Sequence, residues 1–290
     1  MGAVEYIDRK SGERIVESVM GDGALRFAYE TLLGRTLWPV LFGSKVISAL
    51  FGRYYDSPRS KKAIRQLAAI PGCNAGEAQK RIEDYASFNE FFTRRLKRGA
   101  RPVGEGVISP VDARLMLYLG ANIDAAFPLK GARKTLREVI GDAELPSGGL
   151  YDIAVFRLAP VDYHRFHFPC DCADIDKTRV VAGKYHSVNP IALLKYPDVY
   201  ADNERQITKC KTVFGPLWLV DVGAFGVGTI VQTFKGSFAE KGEEKGFFKF
   251  GGSTVIMVTQ SGKITFDDDI RENSSKGFET RVFCRETIGR

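Results

Sequence analysis

Two apolar runs near the end of the chain, Phe247 to Phe250 and Val255 to Val258, are separated only by Gly251-Gly252-Ser253-Thr254. Rich in aromatic and β-branched residues, the runs read as buried strands, so this end of the chain belongs to a β-rich core. A glycine pair inside such a pattern marks a bulge or a close approach of backbone to another group. The serine that follows is then held on a strained, accessible peptide rather than inside a regular ladder. Taken alone, the stretch is adequately explained by a bulge and an ordinary strand. The sharper reading makes Ser253 a nucleophile toward the peptide bond before it, and that reading needs a base, an orienting acid and a reason for a chain to cut itself.

At 290 residues the chain suits one large domain with an appendage, or two domains. From Val107 onward short β-like runs alternate with Gly and Pro: Leu115–Leu119, Ile153–Leu158, Thr178–Ala182, Leu217–Val222 and Thr229–Phe234, with one short helix expected over 135–141. Lys263–Phe266 reads as a further strand after the opening stretch. Before Gly99-Ala-Arg-Pro102 the pattern is helical. The expected fold is therefore α+β: an N-terminal amphipathic helical region, residues 1–102, followed by a β-rich, sandwich or barrel-like catalytic domain, residues 103–290.

Charge follows the same division. Residues 1–102 carry 18 Lys/Arg against 11 Asp/Glu, so the whole net charge of +7 lies in the first third. Such asymmetry suggests an anionic partner, nucleic acid or an acidic membrane surface. Leu25, Ala28, Tyr29, Leu32 and Leu33 fall at helical spacing, and after Pro39 the rows Val46/Leu50/Tyr54 and Ile47/Phe51/Tyr55 do so again. The run from Leu37 to Phe51 is too short and interrupted to span a bilayer. With Leu37, Trp38, Phe42, Ile47 and Phe51 beside Arg and Lys, it suits helices lying in the headgroup region, although an amphipathic helix packed on its own domain has the same pattern. Residues 59–70 read as another basic amphipathic helix. Ser87 with Glu90 three residues on forms a capping box, with Arg94, Arg95, Lys97 and Arg98 expected in the last turns of its helix. No recognised nucleic-acid motif accompanies the charge, which argues against that partner.

Five cysteines with no zinc spacing point to reduced thiols and no structural metal. The N-terminus has neither the apolar core of a signal peptide nor the acid-poor composition of a transit peptide. Two of the three histidines share Asp162-Tyr-His164-Arg-Phe-His167-Phe-Pro169, on a turn leaving a strand. A metal would need a third ligand that the sequence does not supply nearby. Asp112, in Ser109-Pro-Val-Asp112, opens an apolar run where a lone carboxylate is costly to bury. Asp112, a histidine and Ser253 have the composition of a serine triad, but Gly251-Gly-Ser-Thr is not the nucleophile elbow of a hydrolase.

Taken together, Phe250-Gly-Gly-Ser-Thr-Val-Ile, Asp162-Tyr-His-Arg-Phe-His-x-Pro169 and Ser109-Pro-Val-Asp112 resemble the phosphatidylserine decarboxylase family. Tyr6-Ile-Asp-Arg, Ser87-Phe-Asn-Glu-Phe-Phe-Thr-Arg-Arg-Leu, Ser187-Val-Asn-Pro190, Asn203-Glu-Arg205 and Val222-Gly-Ala match further family blocks in order, so the resemblance covers nearly the whole chain. It departs at Ala113, where the family usually has glycine, and at Gly251, where leucine is commoner. The resemblance implies a proenzyme that cleaves itself between Gly252 and Ser253 by attack of Ser253 on the Gly252 carbonyl. His167, held by Asp112, would be the base, and Ser253 would become a covalent pyruvoyl group. The β chain, 1–252, and α chain, 253–290, would stay together as a non-covalent heterodimer, with further dimerisation left open. The implied reaction converts phosphatidylserine to phosphatidylethanolamine and CO2 through a Schiff base, with His164 as proton donor. Phosphatidylserine in an anionic membrane would be the partner, at the cytoplasmic face of the cell membrane, bound peripherally. A pyruvoyl decarboxylase of soluble amino acids, a serine hydrolase and a membrane-binding protein with an inactive site are the competing readings.

Overall fold

The computed structural model describes residues 4–17, 45–141, 145, 147–188, 190–194, 196–224, 230–251 and 253–290. Gly252 and the expected membrane contacts Leu37, Trp38 and Phe42 lie outside the described residues, as does the side chain of Ile47.

The chain is α+β, built on one large mixed sheet. Its strands are β1 (Glu5–Asp8), β2 (Arg14–Val16), β3 (Val107–Ile108), β4 (Ala113–Asn122), β5 (Leu150–Leu158), β6 (Arg165–His167) and β7 (Arg179–Val181). They continue with β8 (Arg205–Thr212), β9 (Gly215–Gly223), β10 (Ile230–Gln232), β11 (Glu244–Phe248), β12 (Ser253–Gln260), β13 (Glu279–Val282) and β14 (Thr287–Gly289). Helices are α1 (Lys45–Asp56), α2 (Lys62–Ala68), α3 (Phe88–Phe92), α4 (Leu136–Ile140), α5 (Pro190–Leu193), α6 (Val199–Asp202) and α7 (Asp268–Ser275). Nine strands form the large sheet in the order β2-β1-β13-β4-β5-β12-β9-β8-β7; β10-β11-β6 form a small one, and β14 pairs with β3.

Strand β12 lies near the middle because it can tolerate cover on both faces. Ser-Thr-Val-Ile-Met-Val-Thr is buried throughout, and only Gln260 at its end is exposed. Val255 and Met257 point into a core with Phe156, Phe166, Phe168 and Phe248, where the small sheet packs. Ile256 and Val258 point the other way, against Leu136, Val139, Ile140, Val199 and Tyr200 of α4 and α6. Alternation then places Ser253 on the small-sheet face. A third cluster joins α2 and α3 to Ala159 and Val161 beyond the end of β5.

Several local expectations take a different form. Lys263–Phe266 makes no strand; Phe266 forms only an isolated bridge to Gly289. Helix α3 stops at Phe92, so Arg94, Arg95, Lys97 and Arg98 lie beyond it. The Thr93 hydroxyl takes the Asn89 carbonyl at 2.8 Å, and the chain then pairs in extended form with residues 77–79. Residues 5–16, in the part of the sequence that reads as helical, form two edge strands of the large sheet, β1 running parallel to β13.

On the face of the sheet away from Ser253, one level across the strands reads Asp8, Arg281, Arg114, Arg157 and Thr254. Such a row of buried arginines is stable only with matching carboxylates. Glu17, just past β2, meets Arg114 at 3.1 Å and Arg157 at 2.8 Å, while Arg157 also pairs with Glu279. Burial opposes the charge on Glu17, but Arg157 and Arg114 outweigh it and hold its carboxyl below the usual range. Glu17→Gln should therefore cost about 3 kcal/mol, read as a lowered melting temperature. With its folded pKa depressed, Glu17 stabilises above the unfolded value of 4.5 and loses that contribution as pH falls. The variant should thus show a shallower loss of melting temperature as pH falls through and below 4.5; a curve parallel to the wild type would refute the assignment.

Candidate active site

Four chain segments meet at one end of the large sheet. Ser253 opens β12 and pairs with Leu158, the last residue of β5, and with Gly223, the last of β9. Arg114 pairs with Arg157, so Ala113 stands beside Leu158, and Val282 pairs with Ala113 in turn. Asp112, immediately before β4, and Cys284, two residues after β13, therefore come to the same end as Ser253. The loop leaving β5 at Ala159 supplies both histidines there.

The segment before Ser253 crosses from the small sheet to the large one. Strand β11 ends at Phe248, whose N–H donates to the His164 carbonyl at 2.9 Å. Gly251 has φ 152°, a conformation that favours glycine. Phe250 is held on both its polar and apolar sides. Its N–H donates to Asn89 Oδ1 at 2.8 Å, and its ring lies 4.5 Å from that of Tyr55, 4.9 Å from Phe88 and 5.2 Å from Phe92. Asn89 in turn donates through Nδ2 to Asp56 at 3.0 Å, and Lys249 pairs with the same carboxylate at 2.9 Å. The end of α1 and one face of α3 thus grip the residues leading to the Gly252–Ser253 bond.

Ser253 is wholly buried, and its Oγ has no hydrogen-bond partner among the described residues. An unsatisfied buried hydroxyl is costly, and such groups in native proteins call for an explanation. His164 stacks on Phe92 at 3.8 Å, which brings it beside Phe250. Its Nδ1 lies 3.0 Å from the Asp162 carbonyl, and its buried Nε2 has no partner among the described residues. Burial, with Arg94 and Arg114 nearby, pushes its pKa down to about 3. Asp162 accepts from Arg114 and from the Ala159 N–H, which shapes the loop.

His167 ends β6, opposite Glu244, with its N–H on the Pro110 carbonyl at 2.9 Å. Burial, followed by Arg285, lowers its pKa to about 3. It lines a cleft of about 250 Å³ with Tyr163, Glu244, Cys284 and Arg285. Both imidazoles are neutral at pH 7, the form that can accept a proton. The carboxylate expected to hold His167 is occupied by other donors: Arg101 grips Asp112 through Nε at 3.0 Å and Nη2 at 2.7 Å, and the Cys284 N–H donates to Oδ1 at 2.7 Å. His167 Nδ1 faces Cys284 Sγ at 3.2 Å. Acid and imidazole thus meet on the two ends of one cysteine.

Asn89, Arg101 and Cys284 escaped the sequence reading. Asn89 left a trace, as a polar residue set among Phe88, Phe91 and Phe92 and buried with them. Deeper in the core, Lys245 of β11 forms a buried ion pair with Asp221 of β9, two residues from the Ser253 level, and so ties the small sheet to the large one.

A sequence profile described as phosphatidylserine decarboxylase matches residues 88–290. The chain is 40% identical over 294 aligned residues to the phosphatidylserine decarboxylase proenzyme of Fusobacterium nucleatum, covering 99% of this chain and 97% of the relative. It is 39% identical to the proenzymes of the same name from Ruminiclostridium cellulolyticum and Chlamydia pneumoniae, again across 99% of this chain and 97% of each relative. The chain therefore belongs to the phosphatidylserine decarboxylase family.

Asn89→Ala would leave the Phe250 N–H unpaired in the core, a loss of about 1–3 kcal/mol. We expect a lower melting temperature and slower appearance of any fragment beginning at residue 253, followed by gel electrophoresis over time. Wild-type kinetics in the variant would show that the grip on Phe250 is immaterial.

Proposed function

We propose that the chain is the precursor of a decarboxylase that converts phosphatidylserine to phosphatidylethanolamine and CO2, and that it prepares its own active site by cutting the Gly252–Ser253 bond. The observation that carries this reading is the placement of Ser253: a buried hydroxyl with no partner among the described residues, at the first position of a central strand, with His164 and His167 supplied by the neighbouring loop. Membership of the family supports the activity.

In the first step Ser253 Oγ forms a bond to the Gly252 carbonyl carbon as the peptide C–N bond breaks. His167 accepts the hydroxyl proton and returns it to the departing Ser253 amine, and the result is an ester. A neutral imidazole has the lone pair that such a shuttle needs. Loss of the Cα proton then breaks the Cβ–Oγ bond, leaving the Gly252 carboxylate on residues 1–252. Addition of water releases ammonia from residue 253 and completes a pyruvoyl group. The pyruvoyl carbonyl supplies an electron sink for loss of CO2 from an amine-bearing substrate. His164, whose Nε2 has no partner among the described residues, would deliver a proton to the carbon that loses CO2. Residues 253–260 remain paired to β5 and β9, which suits a product of two chains held without a covalent link.

Residues 1–102, including Leu37, Trp38, Phe42, Ile47 and Phe51, bring this site to an anionic bilayer as a peripheral protein on the cytoplasmic face of the cell membrane. No helix among the described residues is long and apolar enough to cross a membrane. Leu50, Phe51 and Tyr54 on α1 are exposed and apolar, as a headgroup-level contact requires. Each nearby Lys or Arg adds about 1 kcal/mol of attraction to an anionic surface.

Intact-mass spectrometry of the purified protein beside Ser253→Ala tests the cleavage. We expect a fragment of residues 253–290 with a blocked N-terminus from the wild type and a single full-length chain from the variant. An uncut wild-type chain that nonetheless decarboxylates phosphatidylserine would overturn the scheme. For the membrane contact, Leu50→Glu with Phe51→Glu should reduce co-sedimentation with phosphatidylserine vesicles by about ten-fold. Equal sedimentation would place the contact elsewhere.

A further inference from the structure

The site contains a cysteine whose contacts go beyond packing. Cys284 is buried, and three of its bonds converge on the groups that self-cleavage needs. Its N–H donates to Asp112 Oδ1 at 2.7 Å, its Sγ lies 3.2 Å from His167 Nδ1, and the same sulfur lies 3.7 Å from the Pro110 carbonyl. The Pro110 carbonyl also accepts the His167 N–H at 2.9 Å, so the two residues share one anchor. Arg101 saturates the outer side of Asp112 and continues to Glu77 at 2.7 Å.

We propose that Cys284 is the positioning residue for His167, joining it to Asp112 and setting which imidazole nitrogen carries the proton. This rests on the reading of His167 as the base for cleavage at Ser253.

The chemistry follows from what a thiol can do. Sulfur is a weak donor and a weak acceptor. When the S–H turns to the Pro110 carbonyl, Sγ accepts the proton on Nδ1, and Nε2 is left with a lone pair for the Ser253 hydroxyl. Once Nε2 has taken that proton, the same Nδ1–H···Sγ contact persists, so the ring keeps its orientation through the transfer. Burial, followed by the Asp112 charge, pushes the Cys284 thiol well above its ordinary range, so the residue stays neutral. A neutral partner holds the tautomer and orientation of the ring without placing a charge at Nδ1. Asp112 acts one step removed, fixing the cysteine backbone so that Sγ meets Nδ1.

Three replacements separate this role from packing. Cys284→Val keeps apolar bulk but removes donor and acceptor; Cys284→Ala removes both bulk and bonding; Cys284→Ser restores a donor and acceptor of smaller size. Each full-length chain is made by cell-free translation and sampled over time for the fragment 253–290, with melting temperature measured on each purified chain carrying Ser253→Ala as well. We expect cleavage about ten-fold or more slower with Val and with Ala, and within about three-fold of wild type with Ser. Should Val fail to accumulate as folded protein, the Ala and Ser chains give the same comparison. Wild-type cleavage in the Val chain, or equally slow cleavage in Ser and Ala chains of equal melting temperature, would overturn the proposal. A His167→Ala chain run alongside distinguishes the underlying reading: if it cleaves at the wild-type rate, His167 is not the base and the role of Cys284 falls with it. If His167→Ala is blocked while Cys284→Val is normal, the relay alone is wrong.

Discussion

Everything at the active end depends on β12 being hydrogen-bonded along both edges from its first residue. Ser253 pairs at once with Leu158 and Gly223, and the ladder to β5 continues to Gln260. A residue in that position has little freedom to drift. Upstream, Gly251 takes a backbone conformation that favours glycine and Asn89 holds Phe250. Ser253 thus belongs to a rigid ladder, and Phe250 before it is gripped by side chains of α1 and α3.

The polar interior around this point is organised by pairing rather than by exclusion. Arginines 114 and 157 occupy one level of the sheet beside Thr254, and Lys245 and Asp221 lie on the opposite face. Buried ion pairs add little net stability, yet removing one partner is expensive. Their effect here is to fix register: a shift of β5 by one residue would swing Arg157 into the aromatic core.

Sequence patterns exposed the parts of this design that rest on local chemistry. The β-branched run after Ser253 announced a buried strand, the grouping of His164 with His167 announced a functional loop, and Thr135 with Glu138 capped a short helix where one was expected. What stayed hidden depends on partners far along the chain. Cys284 meets His167 across 117 positions, and no spacing rule connects them. Strands β1 and β13 are short and carry charges, so neither shows the alternation of a long strand; they exist because each completes the other. Helix α3 was overestimated because Arg94 and its neighbours suit a helix end in principle. The pairing of residues 95–97 with residues 77–79 ends it sooner.

The parallel pairing of β1 with β13 has a consequence for biosynthesis. Residues 5–8 are made long before their partners at 279–281. This edge of the large sheet therefore waits for β13, and contacts of such long range form slowly. Cys284 and the β14 strand follow, so this end of the sheet assembles only once they have been made. A truncated message would yield a chain with Ser253 present but its surroundings unfinished. The fold in this way makes the surroundings of Ser253 depend on strands that are made well after it.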